Sequence, residues 1–599
     1  MGAVSLADPP SSRPPVAITI PALRSRVVLV LIFLVVAAAA VLPFLPALDG
    51  EFLDWDDEEN FLRNQGFRGL GWTQLRWMFS TTLMGHWIPL TWLSLGLNYA
   101  LGGTNPWGYH LGNLLLHAAG ALLFWLIARR LLKAAWGTDV AGGTTDAGAA
   151  FAALLFAAHP LRVESVAWIT ERRDVLSGVF FLLSVWGYLR AAEGGTELRR
   201  GWYRLSVAAF ATGLLAKASG MPLPVALLLL DMYPLRRSTL GWRRLVGEKV
   251  PHLILAGATA VVAMWAVGKG TVLTGYGEYG LGARLAMTAH SFIFYPCKWF
   301  WPTGLSPIYE LPARVSLLAP RFLVPLLLVP AITTALIVVR RRWPAGLVVW
   351  LYSCVMILPV SGAIHAGFQL AHDRYSYLSG LGLAVLAGGA LVAVLRAGAQ
   401  ERLRPWLVGV LLATAALVVV GLGTETWRQS RLWRDSETLW RWAVDLDPGC
   451  AICNSNLGAA IIRASSPTTA TTALAETYFR RAISLRPGMP TPYHNLGRVL
   501  ELQGRLTEAE VALNEFLRLS PHVAEAPGRL GMLYVAQQRY DEAIPLLRRA
   551  LAMEPRYAAV RGDLVQALRK HADALRRERR EALAQELERE AAQVEAGLP

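Results

Sequence analysis

The chain has 599 residues, is 54% hydrophobic with a mean hydropathy of +0.37, and carries only 17% charged residues, below the roughly 25% usual in soluble proteins. That balance excludes a water-soluble protein throughout and implies a multi-pass membrane region over 27–423, with a charge-rich water-soluble part behind Gln429. The net charge of +15 does not signal nucleic-acid binding: much of the excess sits in short loops between apolar runs (Arg129, Arg130, Lys133; Arg236, Arg237, Arg243, Arg244; Arg340–Arg342), the pattern of positive-inside topology.

Residues 1–26 are rich in Pro and Ser and read as a disordered cytoplasmic tail. The apolar run 27–48 is too long for a signal-peptide core and reads as a retained spanning helix. Arg24 and Arg26 place its start in the cytoplasm, so the acidic stretch EFLDWDDEENFLRN at 51–64 emerges on the other face. Carboxylates this close raise one another's pKa values and call for cations or a proton-transfer task. Amphipathic pieces within 65–106, with Trp72, Trp77, Trp87, Trp92 and Trp107, suit the membrane interface. Spans follow over 109–127, 149–169, 174–188, 203–216, 221–232 and 250–268. Residues 283–301 read as a re-entrant or interfacial element, followed by spans over 322–339, 343–360, 377–395 and 405–423. The total is about eleven spans, with the C-terminal part on the non-cytoplasmic side.

Beyond the last span lies a helical repeat. Pro448, Pro487, Pro521 and Pro555 are 39, 34 and 34 residues apart; Ala475, Ala509 and Ala543 recur twelve before the proline, and Trp440, Phe479, Leu513 and Leu547 eight before it. This is the tetratricopeptide pattern, expected over 430–560, with 561–599 as a charged capping helix. Of the four cysteines, Cys297 and Cys354 lie in or beside apolar runs. Cys450 and Cys453 form a C-A-I-C that could close a local disulfide or supply half a metal site; no second ligand pair stands at zinc spacing, so no metal is expected.

Three polar groups converge on the non-cytoplasmic face: the acidic stretch, the hairpin Glu171–Asp174, and His372-Asp373-Arg374, with Lys217 and Lys298 near. Ionisable residues at membrane depth are functional candidates. Carboxylates opposite arginines can take a proton from a nucleophile on one side and receive a phosphate leaving group on the other.

At these residues the chain resembles the transmembrane and tetratricopeptide-repeat O-mannosyltransferases and their prokaryotic relatives, within the C-type glycosyltransferase superfamily. WDDEENFLRN resembles that family's Asp-Asp loop with a trailing Asn (Asp56, Asp57, Asn64). Its next blocks are matched by Pro89, Asn98, His110, Asn113 and His117, by His159, Pro160, Glu164, Arg172 and Asp174, and by Asp373, Arg374 and Tyr377. The chain departs from the pattern at Glu171, Ala218 and Ser379. The resemblance implies an all-α, C-type glycosyltransferase-like membrane bundle over 27–425 followed by a repeat solenoid. It also implies inverting transfer of mannose, or a related sugar, from a polyprenyl-phosphate donor to a protein hydroxyl. Asp56 is then the general base or the orienter of the acceptor, Asp57 its support, and Arg172 and Arg374 the phosphate-binding pair. Asp54, Asn64, His110, His159, Glu164, Asp174, Lys217, His372 and Asp373 are supporting residues. No cofactor is expected beyond the lipid-linked donor. The partners would be membrane lipid and an acceptor protein held in the repeat groove, and the setting a prokaryotic cytoplasmic membrane. A non-catalytic repeat scaffold and a lipid-saccharide transporter are the competing readings, and a buried His before Pro, such as His159, is often only hydrogen-bonded to backbone.

Overall fold

A computed structural model describes residues 20–137, 142–193, 195–270, 279–363, 369–464, 467–555 and 557–596. Within them the protein is a bundle of apolar helices followed by paired shorter helices. Most of the expected tail lies outside the described residues, but 20–26 do not belong to it: the first helix, Ile20–Val41, already includes them.

Among the described residues, seven helices are long and apolar enough to cross a membrane: Arg26–Asp49, Pro106–Trp136, Ile169–Ala192, Val250–Lys269, Pro320–Val339, Leu381–Ala399 and Pro405–Leu432. Gly142–Ala157 and Pro160–Ala167 make an eighth if taken together, bent by 55°. The bend has a local cause. Pro160 cannot continue the hydrogen-bond ladder, and His159 caps the break: its Nδ1 accepts from the Leu161 amide at 3.3 Å while Nε2 meets the Trp299 carbonyl at 2.9 Å. The other three expected spans are short helices, Arg200–Leu214, Leu223–Met232 and Pro344–Ile357, each under the roughly 20 residues a perpendicular crossing needs. Residues 283–301 do not form a re-entrant hairpin; Leu281–Phe300 is one unbroken helix with Arg284 buried on it.

Small residues let the bundle close. A Cβ on Gly148 would stand 2.6 Å from the Gly388 carbonyl oxygen, so the helices Gly142–Ala157 and Leu381–Ala399 touch backbone to backbone. Trp92, expected at the interface, is instead 2% exposed and packs edge-on to Trp77, because the loops before Pro106 fold over one another into their own core with Phe61, Phe67 and Tyr109.

The repeat helices run from Ser436–Leu446 to Glu581–Glu595. The recurring positions are the contacts that join each pair. Ala475, Ala509 and Ala543 are fully buried. A Cβ on Gly458, Gly497 or Gly531 would lie under 3 Å from Phe479, Leu513 or Leu547, so the glycine of one helix is the socket for the knob of the next. The expected single helix after Arg561 is two, Ala558–Arg577 and Glu581–Glu595, and the first buries Val560, Leu564, Leu568 and Ala572 as one more repeat unit would. Cys450 and Cys453 form a disulfide at the start of Ala451–Ala464.

The close approach at Gly148 gives a test. Gly148→Val forces the two helices apart, and detergent-solubilised protein is expected to lose about 1–3 kcal/mol of stability, read as a lower unfolding temperature; an unchanged melting curve would mean the helices do not touch there.

Candidate active site

The acidic stretch is not one cluster. Its carboxylates leave the chain in different directions. Asp57 turns inward and is fully buried: it accepts from the Leu53 amide at 2.9 Å, the Thr170 amide at 3.2 Å and the Thr170 hydroxyl at 2.5 Å. It staples the stretch to the hairpin between the broken span and Ile169–Ala192. Burial pushes its carboxyl up to about 7, against those three donors, which favour the ionised form. Asp54 and Glu58 turn the other way, and both pair with Arg463 of the repeats. Glu59 pairs with Arg63 at 2.7 Å. Asn64 only closes a local turn onto Gly66 and the Asn60 carbonyl.

Asp56 remains. Its side chain is half-buried and forms no hydrogen bond or ion pair within the described residues. Burial raises its pKa, Arg173 and Arg374 lower it, and the Glu171 carboxylate raises it, so Asp56 stands within electrostatic reach of that charged group without touching it.

Those cations belong to a buried network centred on Glu171. The Glu171 carboxylate, with no exposed surface, takes Arg173 at 2.7 Å, Lys217 at 2.8 Å and Arg374 at 3.2 Å. Lys217 also meets Asp174 at 2.6 Å. Arg374 is shared with Glu164, which accepts from its guanidinium and, at 2.9 Å, from its backbone amide. The guanidinium also lies 5.4 Å over the Trp168 ring, whose other neighbour is Trp55, stacked at 4.4 Å. His372 Nδ1 lies 2.8 Å from the Pro307 carbonyl and 3.2 Å from the Glu164 carboxylate, both acceptors, so these contacts need the tautomer that carries its proton on Nδ1. Asp373 accepts from the Tyr309 hydroxyl at 3.0 Å; burial, then Glu164, hold its carboxyl well above the usual range.

The structure therefore brings Asp56, Glu164, Asp174, Lys217, His372, Asp373 and Arg374 together. It does not bring Arg172 there. That guanidinium is buried against the Pro106–Trp136 helix, on the Asn113 side chain and the Tyr109 carbonyl, where Gly112 leaves room for it. On a helix start, successive side chains point about 100° apart, so Arg173 enters the network and Arg172 ties helices. His159 serves the helix bend, and buried His110 packs beside Gly50. Sequence reasoning placed the hairpin Glu171–Asp174 at the site but gave the phosphate-binding role to Arg172, and gave no role to Arg173 or Glu171. The available signal was Glu171 itself, a carboxylate at membrane depth among three cations.

His86 was also missed. Its side chain keeps exposed surface; the protein around it, then Arg173 and Lys217, hold its imidazole well below the ordinary range. The site lies at the end of Pro106–Trp136 marked by Tyr109 and Asn113, and Arg129 and Lys133 lie at the other end. A separate apolar cavity of about 530 Å³, lined by Phe124, Trp136, Phe181, Tyr352 and Leu381, opens toward that basic end and does not include the network. Among the described residues no group of His, Cys, Asp or Glu is arranged to hold a metal.

Two outcomes check this geometry. Glu171→Gln leaves three buried cations short of a partner and is expected to cost about 3–5 kcal/mol, seen as a large fall in unfolding temperature. Asp57 binds its proton more tightly folded than unfolded, so its contribution to stability falls as pH rises from about 4 through 7. Asp57→Asn should therefore gain stability relative to wild type between pH 5 and 8; a difference independent of pH would show that Asp57 is not buried.

The dolichyl-phosphate-mannose-protein mannosyltransferase family model matches residues 83–267, and tetratricopeptide-repeat models match 490–523 and 534–574. Protein O-mannosyl-transferase TMTC2 of Mus musculus is 31% identical over 261 residues, 42% of this chain and 29% of that protein. Protein O-mannosyl-transferase TMTC4 of Mus musculus is 27% identical over 483 residues, 71% of this chain and 63% of that protein. The chain thus spans less than two thirds of either relative. The solved structure of ArnT from Cupriavidus metallidurans bound to undecaprenyl phosphate overlays at a TM-score of 0.35 with 18% identity, over 83% of this chain and 80% of that one. The chain is thus a multi-pass, all-α membrane protein with C-terminal tetratricopeptide repeats that is similar to the TMTC protein O-mannosyl-transferases, with residues 83–267 matching the dolichyl-phosphate-mannose-protein mannosyltransferase model.

Proposed function

We propose that the protein is a membrane glycosyltransferase that moves a sugar, mannose or a close relative, from a polyprenyl-phosphate donor to a protein hydroxyl on the non-cytoplasmic face. The single observation that carries this reading is Asp56: a half-buried carboxylate with no bonded partner among the described residues, next in the chain to Asp57, which is bound to the hairpin that holds Glu171 and Arg173. The relatives' names supply the sugar and the acceptor class.

In the proposed step the acceptor oxygen forms a bond to the anomeric carbon while the bond from that carbon to the phosphate oxygen breaks. The acceptor proton passes to Asp56, and the electron pair of the broken bond leaves with the polyprenyl phosphate, giving inversion. Arg173, Lys217 and Arg374 lie where that developing charge would be met. Glu171 holds the three in place, so little reorganisation is needed as charge develops. Donor lipid reaches the site from the bilayer, and the repeats recruit the acceptor. The N-terminus is then cytoplasmic and the repeats are non-cytoplasmic, in a prokaryotic cytoplasmic membrane, with about eleven crossings if the three short helices also span. One observation favours the non-catalytic scaffold: each of the three cations already has a carboxylate partner.

An in vitro assay with labelled polyprenyl-phosphate sugars and membrane extract separates the two. Asp56→Asn is expected to lower turnover by about two to three orders of magnitude. Because its pKa is raised, the wild-type rate should climb with pH as Asp56 ionises above the ordinary aspartate range. Full turnover in Asp56→Asn would remove the proposed base.

A further inference from the structure

We propose that the first repeat unit is a wall of the site itself, and that Arg463 is the positioning residue that sets where Asp56 stands. The inference rests on the transferase reading above.

The acidic stretch is strung between two anchors. On one side Asp57 is bound to Thr170 of the bundle. On the other the repeats hold it at four points: the Glu51 amide donates to the Arg434 carbonyl at 2.9 Å, the Asp54 amide to the Ser436 hydroxyl at 2.6 Å, Trp55 meets Trp440 edge-on at 5.1 Å, and Arg463 bridges the carboxylates of Asp54 and Glu58. Asp56 lies between Asp54 and Asp57, so either anchor moves it. Glu58 keeps a second cation, Arg63 at 2.7 Å, but among the described residues Arg463 is the one cation that joins Asp54 to Glu58; without it Asp54 loses its ion pair, the two carboxylates four residues apart repel, and the turn that aims Asp56 opens.

The opposite wall is held by the same helix. Ala451–Ala464 begins on Glu310, whose carboxylate accepts from the Ala451 amide at 2.6 Å and pairs with Arg486 at 2.8 Å. Such a carboxylate at a helix N-terminus complements the positive end of the dipole. Glu310 lies in the strand Tyr309–Glu310, which pairs antiparallel with Gln369–Ala371, and that second strand leads directly into His372, Asp373 and Arg374. One helix of about 18 Å from Ala451 to Arg463 thus spaces the carboxylate side from the arginine side. A module that only recruited acceptors would need a tether, not contacts with both halves of the centre.

The test uses full-length protein and two readouts. Arg463→Met is expected to lower kcat at least about tenfold with KM for the polyprenyl-phosphate sugar within about threefold, to raise amide hydrogen exchange at 51–58, and to leave the unfolding temperature unchanged. Arg463→Lys should recover most of both. Arg548→Met, whose partner Glu590 lies at the far end of the repeats, should change neither. Unchanged exchange and kcat in Arg463→Met would overturn the inference and leave the transferase reading intact. A wild type that transfers no sugar would overturn the transferase reading, while exchange at 51–58 still decides whether the repeats position the stretch.

Discussion

Glu171 is the constraint on which the site depends. One carboxylate with no exposed surface accepts contacts from Arg173, Lys217 and Arg374. Charges removed from water in this way are tolerated only when compensated, because desolvation of each ion costs several kcal/mol. The neighbouring carboxylates Glu164 and Asp174 supply the rest of the balance, so three acids answer three bases. Asp56 is the addition to that sum, and its freedom from bonded partners follows from the others' having been used. The network also fixes backbone: Arg374 is 210 residues from Glu164, and their pairing closes the bundle around the hairpin.

Aromatic rings carry this arrangement to the repeats. Trp168 meets the Arg374 guanidinium and stacks on Trp55, and Trp55 makes a T-shaped contact with Trp440 of the first repeat helix. Large flat side chains suit the junction, since they bury area while fixing orientation. The bundle and the repeats therefore meet across the stretch 51–58 rather than beside it. The apolar cavity toward the basic loops shares no lining residue with this network; its walls are mostly aliphatic and aromatic, with Arg342 among them.

The all-α class, the membrane bundle and the repeats were legible from local patterns, because apolar length and a 34-residue period are properties of contiguous chain. The recurring alanines and the knobs Phe479, Leu513 and Leu547 could be read as helix contacts, and the structure pairs those knobs with Gly458, Gly497 and Gly531. Boundaries were less legible. The first helix reaches back to Ile20, and the C-terminal segment turns once more than its charge pattern indicates, since a buried stripe in Ala558–Arg577 is masked by surrounding arginines.

By itself the sequence determined which chemical groups the chain offers for a site: a run of carboxylates, a charged hairpin and an acid–arginine pair. Only the tertiary structure decided their partners. Asp57 became a buried staple, Asp54 and Glu58 became docking points for the repeats, and Asp56 was left with no bonded partner among the described residues. Arg172 and Arg173 are adjacent in sequence and identical in kind, yet one ties two helices and the other joins the network. The physical reason is that direction and pairing of a charged side chain are set by helix phase and by what distant segments bring within reach, and neither is written in the residue or its neighbours.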